Sequence, residues 1–430
     1  TCHGPIINAL IENEKMESPL ALRWTALEPV NTLKTVLDMN RASSCATFRE
    51  ALRGWLYPTQ NFVSADRQGN IAYSFPGHIP MRARGDGSVP APGWTGEYEW
   101  LGYIPYEELP HMFNPAPGYI ASANNRVVDD GYPHWVSPDF CASSRAGRIV
   151  ELIEARGVLG VEDVRRMHID QVSILAREMM GALADVRTDD PELVPIFDLF
   201  HGWDGHISAT DPRAAIYEVF VQRLIAILTT PKLGELAIRY AGKGPTPVLS
   251  EGSMFAEHSR EWLLGTLADL RSPWWDTGDG RSRAELICQA MRETVEILQK
   301  SCGPYMENWH WGKIHTLTFG HPLGGVKPLD RIFLRGPFPI GGDGDTIWAA
   351  SGTRYDLSQV EIVGPPFRFI ADLGNWNNSL GMLVPGQSGH PASPHYDDNI
   401  EGWFKGEYHP MLFDREKVKE NVTDTLILEP

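Results

Sequence analysis

Few residues in this chain have the types and spacing for chemistry. Ser388 lies in Gly386-Gln387-Ser388-Gly389, close to the turn that presents a nucleophilic serine. That signature is G-x-S-x-G between a strand and a helix, and His390 stands where its last glycine belongs. His310, His315 and His321 suggest zinc, but spacings of five and six on strand-like sequence match no standard ligand pattern. Thr1 combines a hydroxyl with an α-amine, the pairing an N-terminal nucleophile uses. By themselves Asn124-Asn125 read as a turn, and Arg145 and Arg148 as solvated charges three residues apart on one helical face. The five cysteines, Cys2, Cys45, Cys141, Cys288 and Cys302, include no CxxC pair, and an odd number leaves one thiol unpaired. They read as small buried hydrophobes.

The elements that must position such residues are mixed. Phe62-Val63 and Ile71-Ala72-Tyr73 flank Asp66–Asn70 and predict a β-hairpin over 60–75. Residues 76–143 are rich in Gly, Pro and aromatics and read as long ordered loops, which are usually functional. Helical spacing follows over 146–156, over 161–183 and over 284–299. Asp211-Pro212 predicts an N-cap with Pro at the first position of a helix to about 228. After 303 the texture turns to strands and turns: Trp309 to Phe319 alternates, and Gly341–Asp345 is a loop. Strands, then helices, then strands is an α+β order without βαβ alternation. No internal boundary is visible.

Composition narrows the partners. A net charge of −17 argues against nucleic acid, whose backbone needs basic patches, and against anionic membrane surfaces. No apolar run of about 18 residues predicts a transmembrane helix. A chain of 430 residues can bury a core without metal or disulfide. Thr1-Cys2-His3-Gly4 enters the apolar Pro5-Ile6-Ile7 at once and reads as a start inside a fold.

One pattern spans the whole chain. Gln60-Asn61-Phe62-Val63-Ser64-Ala65-Asp66 is followed by Gly77-His78-Ile79-Pro80-Met81-Arg82, Gly85-Asp86-Gly87, Pro92-Gly93-Trp94 and Glu99-Trp100-Leu101-Gly102. Asn114-Pro115, Gly118-Tyr119-Ile120 and Ala123-Asn124-Asn125 come next, then Trp311-Gly312-Lys313, His321-Pro322-Leu323 and Ser393-Pro394-His395-Tyr396. In order and spacing this resembles the penicillin acylase family of N-terminal-nucleophile hydrolases, and specifically the C-terminal part of the β subunit. The resemblance implies a four-layer αββα sandwich, here partial. It also implies a precursor that cleaves itself into α and β chains. The serine freed at the start of β is nucleophile, and its α-amine, which titrates near neutrality, is base. His3-Gly4-Pro5 matches a motif well inside β, so the α chain and the nucleophile-bearing start of β are expected outside this chain.

The resemblance assigns roles residue by residue. Asn124 matches the Asn whose amide helps form the oxyanion hole, with Asn125 as the register alternative. Arg148 matches the Arg that orients that Asn and lines the pocket mouth, with Arg145 as the alternative. Trp24, in Leu22-Arg23-Trp24, matches an aromatic wall of the acyl pocket. Asp139, through its carboxylate, and Pro80, through its carbonyl, match ligands of a structural calcium, whose remaining oxygens would come from elsewhere. His3 is family-like but reads as a hydrogen-bonded buried histidine. The implied activity is hydrolysis of a linear amide: a β-lactam side-chain amide, an acyl-homoserine lactone or an N-acyl lipopeptide. This chain alone would be inactive. The alternative is a non-catalytic fragment or scaffold. Family habit places such enzymes in the periplasm or outside the cell.

Overall fold

A computed structural model describes residues 1–10, 18–242, 254–351 and 364–428. It is α+β, as the element order predicts. The chain divides into two compact units, with the changeover between Ala146 and Gly147. That point lies inside the continuous helix Ser144–Arg156, where no linker composition could mark it.

In the first unit the predicted hairpin is present: β1 (Phe62–Ala65) pairs antiparallel with β2 (Ile71–Ser74). Asp66 shapes the turn, its Oδ1 accepting the backbone N–H groups of Gln68 and Asn70. The stretch read as long loops contains three further short strands, β3 (Pro80–Arg82), β4 (Trp100–Tyr103) and β5 (His111–Phe113). β5 extends the hairpin and β3 pairs with β4. Gly and Pro at their ends hid strands of three or four residues. Ile79, Ile104 and Leu109 form the small core here.

The second unit is organised around the helix Pro212–Leu233, capped by Asp211 as predicted and reaching five residues past 228. It is buried on every side, the pattern of a core helix. The stretch Pro212–Tyr240 is long and apolar enough to cross a membrane, which the residue runs did not suggest, but 67% of its most apolar window is buried in the protein. The helix Arg283–Cys302 packs against it. Its capping box joins Ser282 and Glu285. The helical spacing over 161–183 is two helices, Val161–His168 and Ile174–Gly181. Between them Asp170 accepts the Val172 N–H, and Ser173 caps the second helix at the Ala176 N–H. Trp309–Phe319 is not one strand: the one-turn helix Trp311–Ile314 precedes β6 (Thr316–Phe319). β6 pairs with β7 (Arg335–Pro339), and β8 (Phe367–Ile370), β9 (Leu380–Leu383) and β10 (His409–Pro410) form a second sheet, ordered β10-β9-β8.

The loop Gly341–Asp345, predicted as such, carries two carboxylates into this core. Gly342 has φ +77°, and a Cβ there would lie 2.5 Å from the Trp348 carbonyl oxygen. The loop can therefore pass only as glycine. Asp343 and Asp345, with Glu218 from the central helix, surround the buried guanidinium of Arg260.

Candidate active site

The first unit brings its motif residues together around an N-terminal strap. The Leu22 N–H donates to the Pro5 carbonyl at 2.9 Å and the Ile7 N–H to the Leu20 carbonyl at 2.9 Å. Gly4 has φ +108°, and a Cβ there would sit 2.0 Å from the Leu22 carbonyl oxygen, which explains the glycine of His3-Gly4-Pro5. His3 Nε2 lies 2.7 Å from Glu99 Oε1, and Arg23 donates to Glu99 Oε2 at 2.9 Å. The Arg23 guanidinium also stacks on Trp100 at 4.6 Å. The His3 hydrogen bond, with Arg23 behind it, holds the Glu99 carboxyl below its usual range. His3 is thus hydrogen-bonded, as read from the sequence, but half-buried where burial was expected. In the sequence Glu99 and Arg23 stand only as parts of motifs; their opposite charges on two separated motifs are the available signal.

Asn124 adopts φ 63°, the left-handed conformation that Asn tolerates better than most residues. Its carbonyl accepts the Cys141 N–H at 2.9 Å. Its side-chain Oδ1 accepts from Arg145 Nη2 at 3.0 Å. With Oδ1 held by a cation, the amide is fixed in one sense and its NH2 faces away as a donor. Asn124 is exposed, so that donor is accessible. The neighbouring Asn125 is spent on the turn, accepting the Ala123 N–H and donating to the Arg126 carbonyl. Asn124 is therefore the one of the pair with a free donor among the described residues.

The cation on Asn124 is Arg145. Arg148 is engaged elsewhere: Nε and Nη2 form a bidentate pair with Asp170, at 3.0 and 2.8 Å, and Nη1 reaches Glu151 at 3.1 Å. The hydrogen bond to Asp170 raises the Arg148 pKa further, fixing it as a cation. The division follows from where the helix begins. It starts at Ser144, so Arg145 lies in the first turn and Arg148 one turn on. A cation in the first turn opposes the helix dipole, about 0.3–1 kcal/mol unfavourable at a surface, so helix propensity does not explain Arg145. Asp170 was not foreseen; an Asp opening a break between two helices was its only signal.

Trp24 is 45% exposed and meets Tyr57 edge-on at 5.4 Å, so it is an open aromatic surface and not a core residue. Asp139 is exposed and Pro80 lies in β3 opposite Tyr103. Among the described residues no group of three or more His, Cys, Asp or Glu is placed to hold a metal. One carboxylate and one carbonyl do not make the six to eight oxygens calcium takes. His315 is buried with its ring nitrogens 2.9 and 3.1 Å from the carbonyl oxygens of Ile340 and Ala350, so neither nitrogen is open to a metal. His321 Nδ1 accepts the Leu323 N–H. Ser388 lies in a turn-rich segment, its Oγ accepting the His390 N–H, with no strand-to-helix elbow. The Thr1 hydroxyl donates to the Gly4 carbonyl at 2.8 Å.

Comparison with known proteins fixes the lineage. A family model described as penicillin amidase matches residues 1–420. The chain belongs to the penicillin amidase family. The family and its relatives are amidohydrolase acylases. "Penicillin acylase 2 proenzyme" of Pseudomonas sp. (strain SE83) is 30% identical over 450 residues, covering 100% of this chain and 54% of that protein. "Acyl-homoserine lactone acylase QuiP" of Pseudomonas aeruginosa is also 30% identical, covering 96% of this chain and 52% of that protein. This penicillin amidase chain therefore spans about half the length of the curated relatives it matches. Its fold matches that of a thermostable penicillin G acylase from Alcaligenes faecalis with a TM-score of 0.67 at 17% identity, over 100% of this chain and 78% of that one. That is an N-terminal-nucleophile hydrolase fold, as the resemblance implied. The described sheets have two or three strands each.

Proposed function

We propose that the protein containing this chain hydrolyses a linear amide of an N-acylated substrate, with an N-terminal serine outside this chain as nucleophile and Asn124 as an oxyanion donor. One observation carries the reading: the Asn124 amide is held through Oδ1 by Arg145 on an exposed residue, and its NH2 has no hydrogen-bond partner among the described residues. Attack on an amide puts negative charge on the carbonyl oxygen, and a fixed neutral donor there is worth about 2.7–4 kcal/mol. The guanidinium draws density from Oδ1 and strengthens the opposite N–H as a donor. Arg145 is then a positioning residue. Arg148 ties its helix to Asp170. The names of the relatives support penicillins or acyl-homoserine lactones as substrates. Trp24 is suited to an apolar acyl chain, since an indole face is exposed there. A calcium ion bound through Asp139 and Pro80 would need most of its oxygens from beyond the described residues. Periplasmic or secreted location follows the same family reading.

The test is to express the complete precursor, establish its chains by intact mass and N-terminal sequencing, and assay release of amine from phenylacetyl and long-chain acyl amides. The expected result is a β chain beginning with Ser and turnover that Asn124→Gly lowers about 10²–10³-fold. A mature protein without an N-terminal Ser, or turnover indifferent to Asn124, overturns the reading.

A further inference from the structure

We propose that the loop between Asn124 and Cys141 forms the pocket for the amine half of the substrate, and that it selects uncharged or cationic ring amines through Trp135, Tyr132 and Asp129. This rests on the proposed amide hydrolysis and assigns its leaving-group side.

The hydrogen bond from the Cys141 N–H to the Asn124 carbonyl ties off residues 124–141 as a closed loop with the oxyanion donor at its neck. This loop alone encloses a groove of about 480 Å³, lined from Arg126 to Phe140. Small-molecule sites usually fall between about 300 and 1,000 Å³. The wall begins at Arg126, two residues from Asn124, which is at most about 7 Å of chain. It ends at Phe140, next to Cys141. A substrate whose carbonyl oxygen sits on the Asn124 amide therefore has this groove within reach of one of its two halves.

The lining is suited to a ring. Tyr132 and His134 are fixed, the Tyr132 hydroxyl donating to the Glu108 carbonyl at 2.8 Å and His134 Nε2 lying 2.6 Å from the Glu108 carboxylate. Their rings meet edge-on at 5.6 Å. Trp135 is 48% exposed, so its indole is open for stacking. The charge is lopsided. Arg126 is neutralised by Asp130 at 2.7 Å. The Asp129 side chain accepts only the Gly131 backbone N–H at 2.9 Å among the described residues, with no ion pair there. A carboxylate on the amine half would meet like charge, whereas a neutral ring or a ring bearing an ammonium group would not.

The experiment uses the complete mature enzyme and four amides sharing one acyl group, with aniline, α-amino-γ-butyrolactone, glycine and 6-aminopenicillanic acid as amines. Trp135→Ala is expected to raise KM five- to tenfold for the aniline and lactone amides, leaving kcat within about twofold and the glycine amide unchanged. Asp129→Asn is expected to raise relative kcat/KM severalfold for the two carboxylate-bearing amines. Equal effects on all four amides, or none, overturn the proposal. A calorimetric titration with α-amino-γ-butyrolactone alone needs no turnover: saturable binding to wild type that weakens in Trp135→Ala supports the groove even if no amide is hydrolysed. Hydrolysis with neither binding nor a selectivity change sinks the groove and leaves the hydrolase reading standing.

Discussion

Asn124 owes its role to two constraints that act on different atoms. Its backbone is left-handed, which Asn and Gly accept cheaply, and its side chain is clamped through one oxygen. Asn124→Gly removes the amide and relieves any backbone cost; Asn124→Asp keeps the shape and the contact to Arg145 but loses the donor. Both are expected to lower kcat about 10²–10³-fold in the assembled enzyme with KM nearly unchanged, measured by steady-state kinetics. A larger fall in Asn124→Gly with Asn124→Asp near wild type would mean the residue acts through shape alone. The two arginines should separate. Arg145→Met is expected to lower kcat about tenfold without changing the melting temperature, because the amide is freed to rotate. Arg148→Met is expected to lower stability by about 1–3 kcal/mol in thermal unfolding, since Asp170 is left half-buried without its partner. Asn124 could be singled out because it stands inside a long ordered motif. The choice between Arg145 and Arg148 was not legible, since they share a helical face and only the first residue of the helix decides which faces the asparagine.

Among the elements, those with local punctuation were readable. Asp211-Pro212 marks a helix start by satisfying backbone N–H groups, and the helix begins there; the helix read over 284–299 from its spacing alone begins at Arg283, behind the capping box of Ser282 and Glu285. The hairpin was readable for the same reason, since Asp66 closes its own turn. The two helices within 161–183 run together in the sequence because apolar residues keep helical spacing across the break, although only Ile174–Gly181 contributes buried residues to the core. The acidic loop Gly341–Asp345 was legible as a loop but not as a buried one, because burial depends on Arg260 some 80 residues earlier in the chain. Burial, with Glu218 beside it, pushes the Asp343 carboxyl up to about 7. The folded state thus holds that proton more tightly than the unfolded chain, whose Asp titrates near 3.9. This contribution to stability is complete below about pH 4 and is lost as pH rises to about 7. Asp343→Asn mimics the protonated form. Relative to wild type it should gain a few degrees in melting temperature between pH 5 and pH 8, read by scanning calorimetry at each pH. An unchanged difference across that range would show that Asp343 is ionised throughout.

For the whole molecule, the apolar surface of the first unit matters most. Leu33 and Leu37, one turn apart on the helix Thr32–Arg41, are 71% and 47% exposed, and Leu27 is 52% exposed. Alone in water such a surface favours association with itself. Since the matched relatives are about twice as long, the chain expressed by itself is expected to aggregate and to hydrolyse nothing, whereas co-expression with the rest of the precursor should give a soluble, active species. Size-exclusion chromatography with an amide assay on the eluted peaks decides this; a monodisperse, active chain would overturn it. The division at Ala146 and Gly147 was the least legible feature, because a boundary inside a helix leaves no trace in composition.

The bond between the Cys141 N–H and the Asn124 carbonyl bears on how such a protein could be re-engineered or diversify. A loop tied off at its base can change length at modest entropic expense, about 0.6 kcal/mol for each doubling. Insertions, deletions and grafted sequences between Arg126 and Phe140 would leave the clamped amide where it is. The segment is in that sense an exchangeable cassette, in which preference for the departing amine can drift while the chemistry of acyl transfer stays put.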